Sequence, residues 1–148
     1  MDNNKQFSYI MIIIGFTMIL LGSRWLIVEE PWMLDEVANV ERLEMTFDEL
    51  FEPAINDSLP GYLRQIYRFF GLWVSIIGFL IISFSTPEIT LQKIIRKRLL
   101  FCLGLMMAMG TILGYALIPS SHFIYLMWIM NLLYLLCIYN HTKINHEK

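Results

Sequence analysis

Apolar and polar positions alternate in long blocks along this chain rather than residue by residue. Four blocks are long and nearly unbroken: 7–28, 68–84, 99–118 and 123–139. A helix crossing the hydrocarbon of a bilayer needs about 20 mostly apolar residues, so each block predicts one membrane-spanning helix. Two polar stretches separate them, an acidic cap at 29–63 and a basic loop at 85–98, and a short Pro119–His122 turn joins the last pair. The expected fold is all-α: an integral membrane protein with four transmembrane helices in an antiparallel bundle and a lid of short helices outside the membrane. The spans leave room for one membrane domain over residues 1–148 and for no separate soluble one. The first span exceeds the roughly 7–15 residues of a signal-peptide core, and Glu29-Glu30-Pro31-Trp32 rather than a small-residue cleavage site follows it.

Finer patterns predict how the blocks are punctuated. In the cap, Met33, Leu34, Val37, Val40 and Leu43 recur at threes and fours and predict a helix. Thr46-x-x-Glu49 has the form of a capping box, starting a second helix that Pro53 should stop near Phe51. Ser85-Thr86-Pro87-Glu88 has the same form, so a short helix over 88–98 is expected to run into the third span. Gly15 and Gly22 in the first span, and Gly71 and Gly78 in the second, are each seven apart and share a face, joined by Ser75. Gly110 and Gly114 form a G-x-x-x-G in the third, with Gly104 and Ala108 before it. Small residues mark helix contact faces in lipid, where no hydrophobic force drives helices together. Contact within one subunit is the first expectation, ahead of a dimer interface. Trp25, Trp32, Tyr62, Tyr67, Tyr115 and Tyr125 are expected as an aromatic belt at the cap-side interface.

Composition agrees with a membrane class: 57% of the 148 residues are hydrophobic, above the usual share for a soluble domain. The net charge is −2 and no nucleic-acid-binding patch appears, but the distribution of charge is more telling than its sum. Ten of the thirteen carboxylates lie between residues 29 and 57 with a single cation, Arg42. Seven Lys and Arg (Lys5, Lys93, Arg96, Lys97, Arg98, Lys143 and Lys148) fall on the termini and the basic loop, against Arg24, Arg42, Arg64 and Arg68 on the cap side. The positive-inside rule then puts both termini in the cytoplasm, in the manner of a bacterial inner-membrane protein, and the cap outside. The cluster Lys93/Arg96/Lys97/Arg98 is expected to face anionic headgroups as a topology anchor.

Candidate chemistry gathers where the cap meets the spans. Arg24 lies about a turn inside the first span, and Arg64 and Arg68 are four apart on one face beside Tyr67. Three guanidiniums beneath Glu29, Glu30, Asp35 and Glu36 could clamp the lid, or could grip a phosphate or carboxylate. The clamp is the first reading. In the second, a lipid-like or anionic amphiphile would put its head on Arg24, Arg64 and Arg68 and its tail among Phe70, Trp73, Tyr115 and Asn131. Asn131 is the most polar side chain at mid-span, expected as an interhelical hydrogen-bond partner. No ionisable residue falls at mid-membrane depth, which argues against proton-coupled transport. His122, His141 and His146 have no zinc-like spacing, so no metal and no cofactor is expected. Cys102 and Cys137 lack a Cys-x-x-Cys and read as small apolar residues.

The glycine-bearing first span (Gly15, Gly22), its Pro31-Trp32 exit, and a second span entered through Leu63-Arg64 into Phe70-Gly71-Leu72-Trp73 with Gly78 resemble the DoxX-like group of small four-helix membrane proteins. The resemblance covers about the first 80 residues by motif and implies a four-helix membrane fold. It also implies roles such as accessory subunit of quinone- or thiosulfate-linked redox systems, though no redox residue of this chain carries over. The cap is longer than the loops of that group. The expected function is a non-enzymatic accessory or scaffold subunit that meets other membrane proteins, or a second copy, through its small-residue faces and cap. The alternative is the binder or carrier of an amphiphile, and an interfacial lipid-modifying enzyme comes third.

Overall fold

The computed structural model describes Asp2 through His146, the last by its backbone alone; Lys148 and the His146 side chain, both used above, lie outside the described residues. Those residues are all-helical. α1 is Asn3–Ile27, α2 Glu36–Leu43, α3 Phe47–Phe51, α4 Leu59–Ser83, α5 Pro87–Thr90, α6 Lys93–Leu117 and α7 Phe123–His146, with 3-10 turns at Pro31–Asp35 and Ala54–Asn56. Four of them (α1, α4, α6 and α7) are long and apolar enough to cross a membrane. Each extends past its hydrophobic block. α4 begins at Leu59 because Pro60 falls in its first turn, where a missing N–H costs nothing.

Close packing of α1 on α4 organises the molecule. A Cβ built on Gly15 would come 2.8 Å from the Gly78 carbonyl oxygen, and one on Gly78 within 2.5 Å of the Gly15 oxygen. Gly22 meets Gly71 in the same way, with Ser75 N 2.8 Å from the Gly22 position. The matched seven-residue spacings are therefore two halves of one seam, and these faces are used up within the chain. α7 packs on α1 and α6 packs on α7, while α4 and α6 have no substantial contact. At α6–α7, Gly104 gives room to Tyr134, whose hydroxyl donates to the Leu100 carbonyl at 3.1 Å, and Gly114 gives room to Met127. The buried core lies toward the end away from the lid: Phe7, Met11 and Ile14 of α1, Ile81 of α4, Leu100 and Leu103 of α6, and Met130, Cys137 and Ile144 of α7. Cys102 is exposed. Outside this core the long helices present large apolar side chains such as Phe16, Phe79, Phe101, Ile112 and Leu132 to the exterior.

That far end is also where most buried polar groups collect. Asn4 Nδ2 donates to the Pro87 carbonyl at 2.8 Å and Ser8 Oγ to the Ser85 carbonyl, pinning the start of α1 to the α4–α5 turn. Ser85 does not cap α5 as its spacing suggested. It is fully buried under Ser8, and Thr86 takes the N-cap position. The expected helix over 88–98 is broken at Leu91–Gln92. The break frees the Thr90 and Leu91 carbonyls, which accept from Arg96 Nη1 at 2.5 and 3.1 Å. Arg96 is 1% exposed, so the expected headgroup-facing cluster keeps only Lys93, Lys97 and Arg98 at the surface.

The lid is built much as its punctuation implied. α2 ends in Glu44, whose φ of 57° is left-handed. Thr46 and Glu49 form the capping box of α3, with Thr46 N and Oγ 2.7 and 2.8 Å from Glu49 Oε2. α3 stops at Phe51, two residues ahead of Pro53. Trp32 stacks against Phe47 and Phe51 at 6.2 and 5.6 Å and is 2% exposed; Trp25 is 8% exposed and packs on Phe70 and Phe123. Neither tryptophan is a belt residue: both fill the interior where the lid turns back onto the helices.

The capping bonds hold the Glu49 carboxyl below its ordinary range. A depressed folded-state pKa gives stability that is present above the unfolded value, about 4.3, and is lost as pH falls through the folded one. Hydrogen-exchange protection of the Glu49 and Leu50 amides should therefore hold from neutrality to about pH 5 and decline below about pH 4, a decline already complete at neutral pH in Thr46→Ala.

Candidate functional site

Because α6 leans on α7 and has no substantial contact with α4, the lid half of the molecule holds a half-open cavity of about 420 Å³, within the ~300–1,000 Å³ range of small-molecule sites. α1 lines it with Thr17, Met18, Leu21 and Trp25, α4 with Tyr67, Phe70 and Val74, and α6 with Met106, Met107, Gly110 and Thr111. α7 adds Phe123, Leu126, Met127, Met130 and Asn131, and the lid adds Asp35 and Asn39. The walls are apolar and five of these residues are methionines, whose unbranched thioethers adapt to irregular shapes. A Cβ built on Gly110 meets nothing within 4 Å, so this glycine faces the void rather than a helix.

Polar groups occupy two levels. At mid-height Asn131 Nδ2 donates to Thr111 Oγ1 at 3.0 Å and to the Met127 carbonyl at 2.9 Å, joining α7 to α6. At the lid end Asn39 Nδ2 donates to the Trp32 carbonyl at 2.8 Å and to Tyr67 Oη at 3.3 Å. Asp35 Oδ1 is buried and has no hydrogen-bond partner. The ring of His122 stands 4.0 Å away on the solvent side, beyond hydrogen-bonding range. The lid is also tied to the α6–α7 turn by Ser120 Oγ, which donates to Glu41 Oε2.

Of the site residues expected from the sequence, Asp35, Tyr67 and Asn131 come together around this cavity, with Phe70 on its wall. Trp73 is half-exposed outside it, and Arg24, Arg64 and Arg68 do not line it either. Arg64 Nε donates to the backbone carbonyl of Glu29 at 2.7 Å, while Arg24 and Arg68 are exposed. Glu29, Glu30 and Glu36 point to solvent. Among the described residues the ion pair within 4 Å is His122–Asp35, and none joins the three arginines to a lid carboxylate. Asn39 was missed because the apolar spacing of the lid helix drew attention to its neighbours; a lone amide in Val37-Ala38-Asn39-Val40 was the signal. Among the described residues no group of three or more His, Cys, Asp or Glu could hold a metal ion. Set against protein-family models, curated proteins and solved structures, the chain matches none.

Proposed function

We propose that this chain is an integral membrane protein that binds or carries a lipid-like amphiphile in the cavity beneath its lid. In this reading α1, α4, α6 and α7 cross the bilayer as an antiparallel bundle, with both termini and the basic loop in the cytoplasm of a bacterial cell. The exposed apolar side chains on all four long helices support insertion, since a surface of that kind is unstable in water. One observation carries the binding function: an apolar, Met-rich cavity of about 420 Å³ that gathers Asp35, Asn39 and Tyr67 at its lid end, while its mid-height amide, Asn131, donates to Thr111 and Met127. An amphiphile has that polarity. The lack of substantial α4–α6 contact gives a tail a lateral way in from the lipid, and the short lid helices cover the head. The scaffold function expected from the small-residue faces has less support, because the glycines of α1 and α4 are spent on each other.

Gly110 supplies the test. Leucine there meets open space and relieves the roughly 1 kcal/mol cost of glycine inside a helix, but its side chain fills the cavity. Gly110→Leu should leave thermal stability in mild detergent unchanged or slightly higher. It should also abolish the co-purifying amphiphile that native mass spectrometry is expected to detect on the wild-type protein. Wild-type protein that carries no amphiphile and takes up none from added single-chain lipids would refute the proposal.

A further inference from the structure

The lid end of the cavity has the wrong charge for the anionic head that the three arginines suggested. The Asp35 side chain is 11% exposed, and its Oδ1 is buried without a donor, an arrangement that costs free energy until a donor arrives. Asp35 is also the N-cap residue of α2, yet its side chain makes no capping hydrogen bond, forgoing the usual partner of an aspartate in that position. It lines the cavity instead. Both amide hydrogens of Asn39 are engaged by the Trp32 carbonyl and Tyr67 Oη, so its carbonyl oxygen is the group left for a ligand. Asp35 and Asn39, both on the lining, therefore bring a carboxylate and an amide oxygen to the lid end of the void, with Tyr67 beside them. Arg24, Arg64 and Arg68 lie off the lining, and nine other carboxylates in the segment 29–57 add negative potential at the lid end.

We infer that the cavity selects a cationic amphiphile: a primary ammonium head held by Asp35 and Asn39 at the lid end, with a single apolar body running down among the methionines toward Asn131. This rests on the proposed binding function and assigns its ligand class. An ammonium has three donors and no acceptor, the complement of what this end offers, and a charge-assisted bond to a desolvated carboxylate is the strongest contact available there. A carboxylate or phosphate head would face Asp35 with no Lys or Arg on the cavity wall.

The test is a titration of the full-length protein in neutral detergent with dodecylamine, dodecanol and dodecanoate, followed by native mass spectrometry. These probes share a tail and differ only in the head. Wild-type protein should bind dodecylamine at least about tenfold more tightly than the other two. Asp35→Asn should remove the amine's advantage over the alcohol, whereas Asp35→Glu should keep a preference for the amine. If dodecanol or dodecanoate binds the wild-type protein as tightly as dodecylamine, the ammonium assignment falls while the cavity's function stands. Binding of none of the three overturns both. Competition by phosphatidylethanolamine against bound dodecylamine separates two sources of the same head: displacement points to a membrane lipid, and no displacement to a free amine, each in keeping with the ammonium site.

Discussion

Gly22→Leu will separate α1 from α4 and destabilise the fold by about 3 kcal/mol, the upper part of the range for overpacking a tight interface. The reason is that backbone, and not only the Ser75 hydroxyl, faces this glycine. A Cβ there would overlap the Gly71 carbonyl oxygen and lie 2.8 Å from Ser75 N, so no rotamer change opens room for it. The whole α1–α4 seam must widen, and its other contact at Gly15–Gly78 is lost with it. Helices in lipid associate through close packing rather than an apolar drive, so the widened seam has nothing to replace those contacts. Gly22→Ala should show a smaller loss of the same sign. Gly61→Ala is the control, because a Cβ at Gly61 meets nothing within 4 Å. Reversible unfolding in mixed detergent measures all three, and a neutral Gly22→Leu would mean that α1 and α4 do not meet at these glycines.

Arg96→Met will cost about 3 kcal/mol, the scale expected when two buried carbonyls lose their donor at ~1–3 kcal/mol each. Methionine keeps an unbranched apolar stem like that of arginine and lacks only the charged, hydrogen-bonding end, so the change tests the guanidinium. Nη1 of Arg96 serves the Thr90 and Leu91 carbonyls, Nε donates to His141 Nδ1 at 3.2 Å, and Nη2 reaches Asn145 Oδ1 at 3.4 Å. One planar group thus closes the broken end of α5 and ties it to α7. Arg96→Lys should recover only part of the loss, because an ammonium is a point and cannot reproduce the fork that reaches both the α5 carbonyls and α7. The same unfolding measurement decides it. Equal stability of Arg96→Met and wild type would show that Thr90 and Leu91 find other donors.

These two residues differ in how legible they were. The glycines carried their meaning in their spacing, because a seven-residue repeat returns to the same helix face and a residue without a side chain there has few structural uses other than close approach. The capping box at Thr46, the stop before Pro53 and the interhelical bond of Asn131 were readable for the same reason: each depends on local geometry or on one helix period. Arg96 was hidden among Lys93, Lys97 and Arg98. Charge and position alike suggested a solvated anchor, and only the break at Leu91–Gln92 creates the carbonyls that draw it inward. Trp25 and Trp32 were misassigned to an interfacial belt because a tryptophan near a span end satisfies either role. Burial depends on whether the lid folds back over it.

By itself the sequence determined the number of long apolar helices and where their apolar blocks lie, the acidic lid with its internal stops, and the faces along which α1 and α4 would touch. These follow from side-chain hydrophobicity and helical periodicity, both properties of one segment at a time. The tertiary structure alone decided that α6 rests on α7 and leaves α4 uncovered, that the resulting void is capped by Asp35 and Asn39, and that Arg24, Arg64 and Arg68 stand aside from it. Periodicity fixes which residues share a face, but not how that face is turned toward its neighbours. That rotation is set by packing between segments far apart in the chain, and here it gives the cavity an acceptor-rich end in place of the expected arginines.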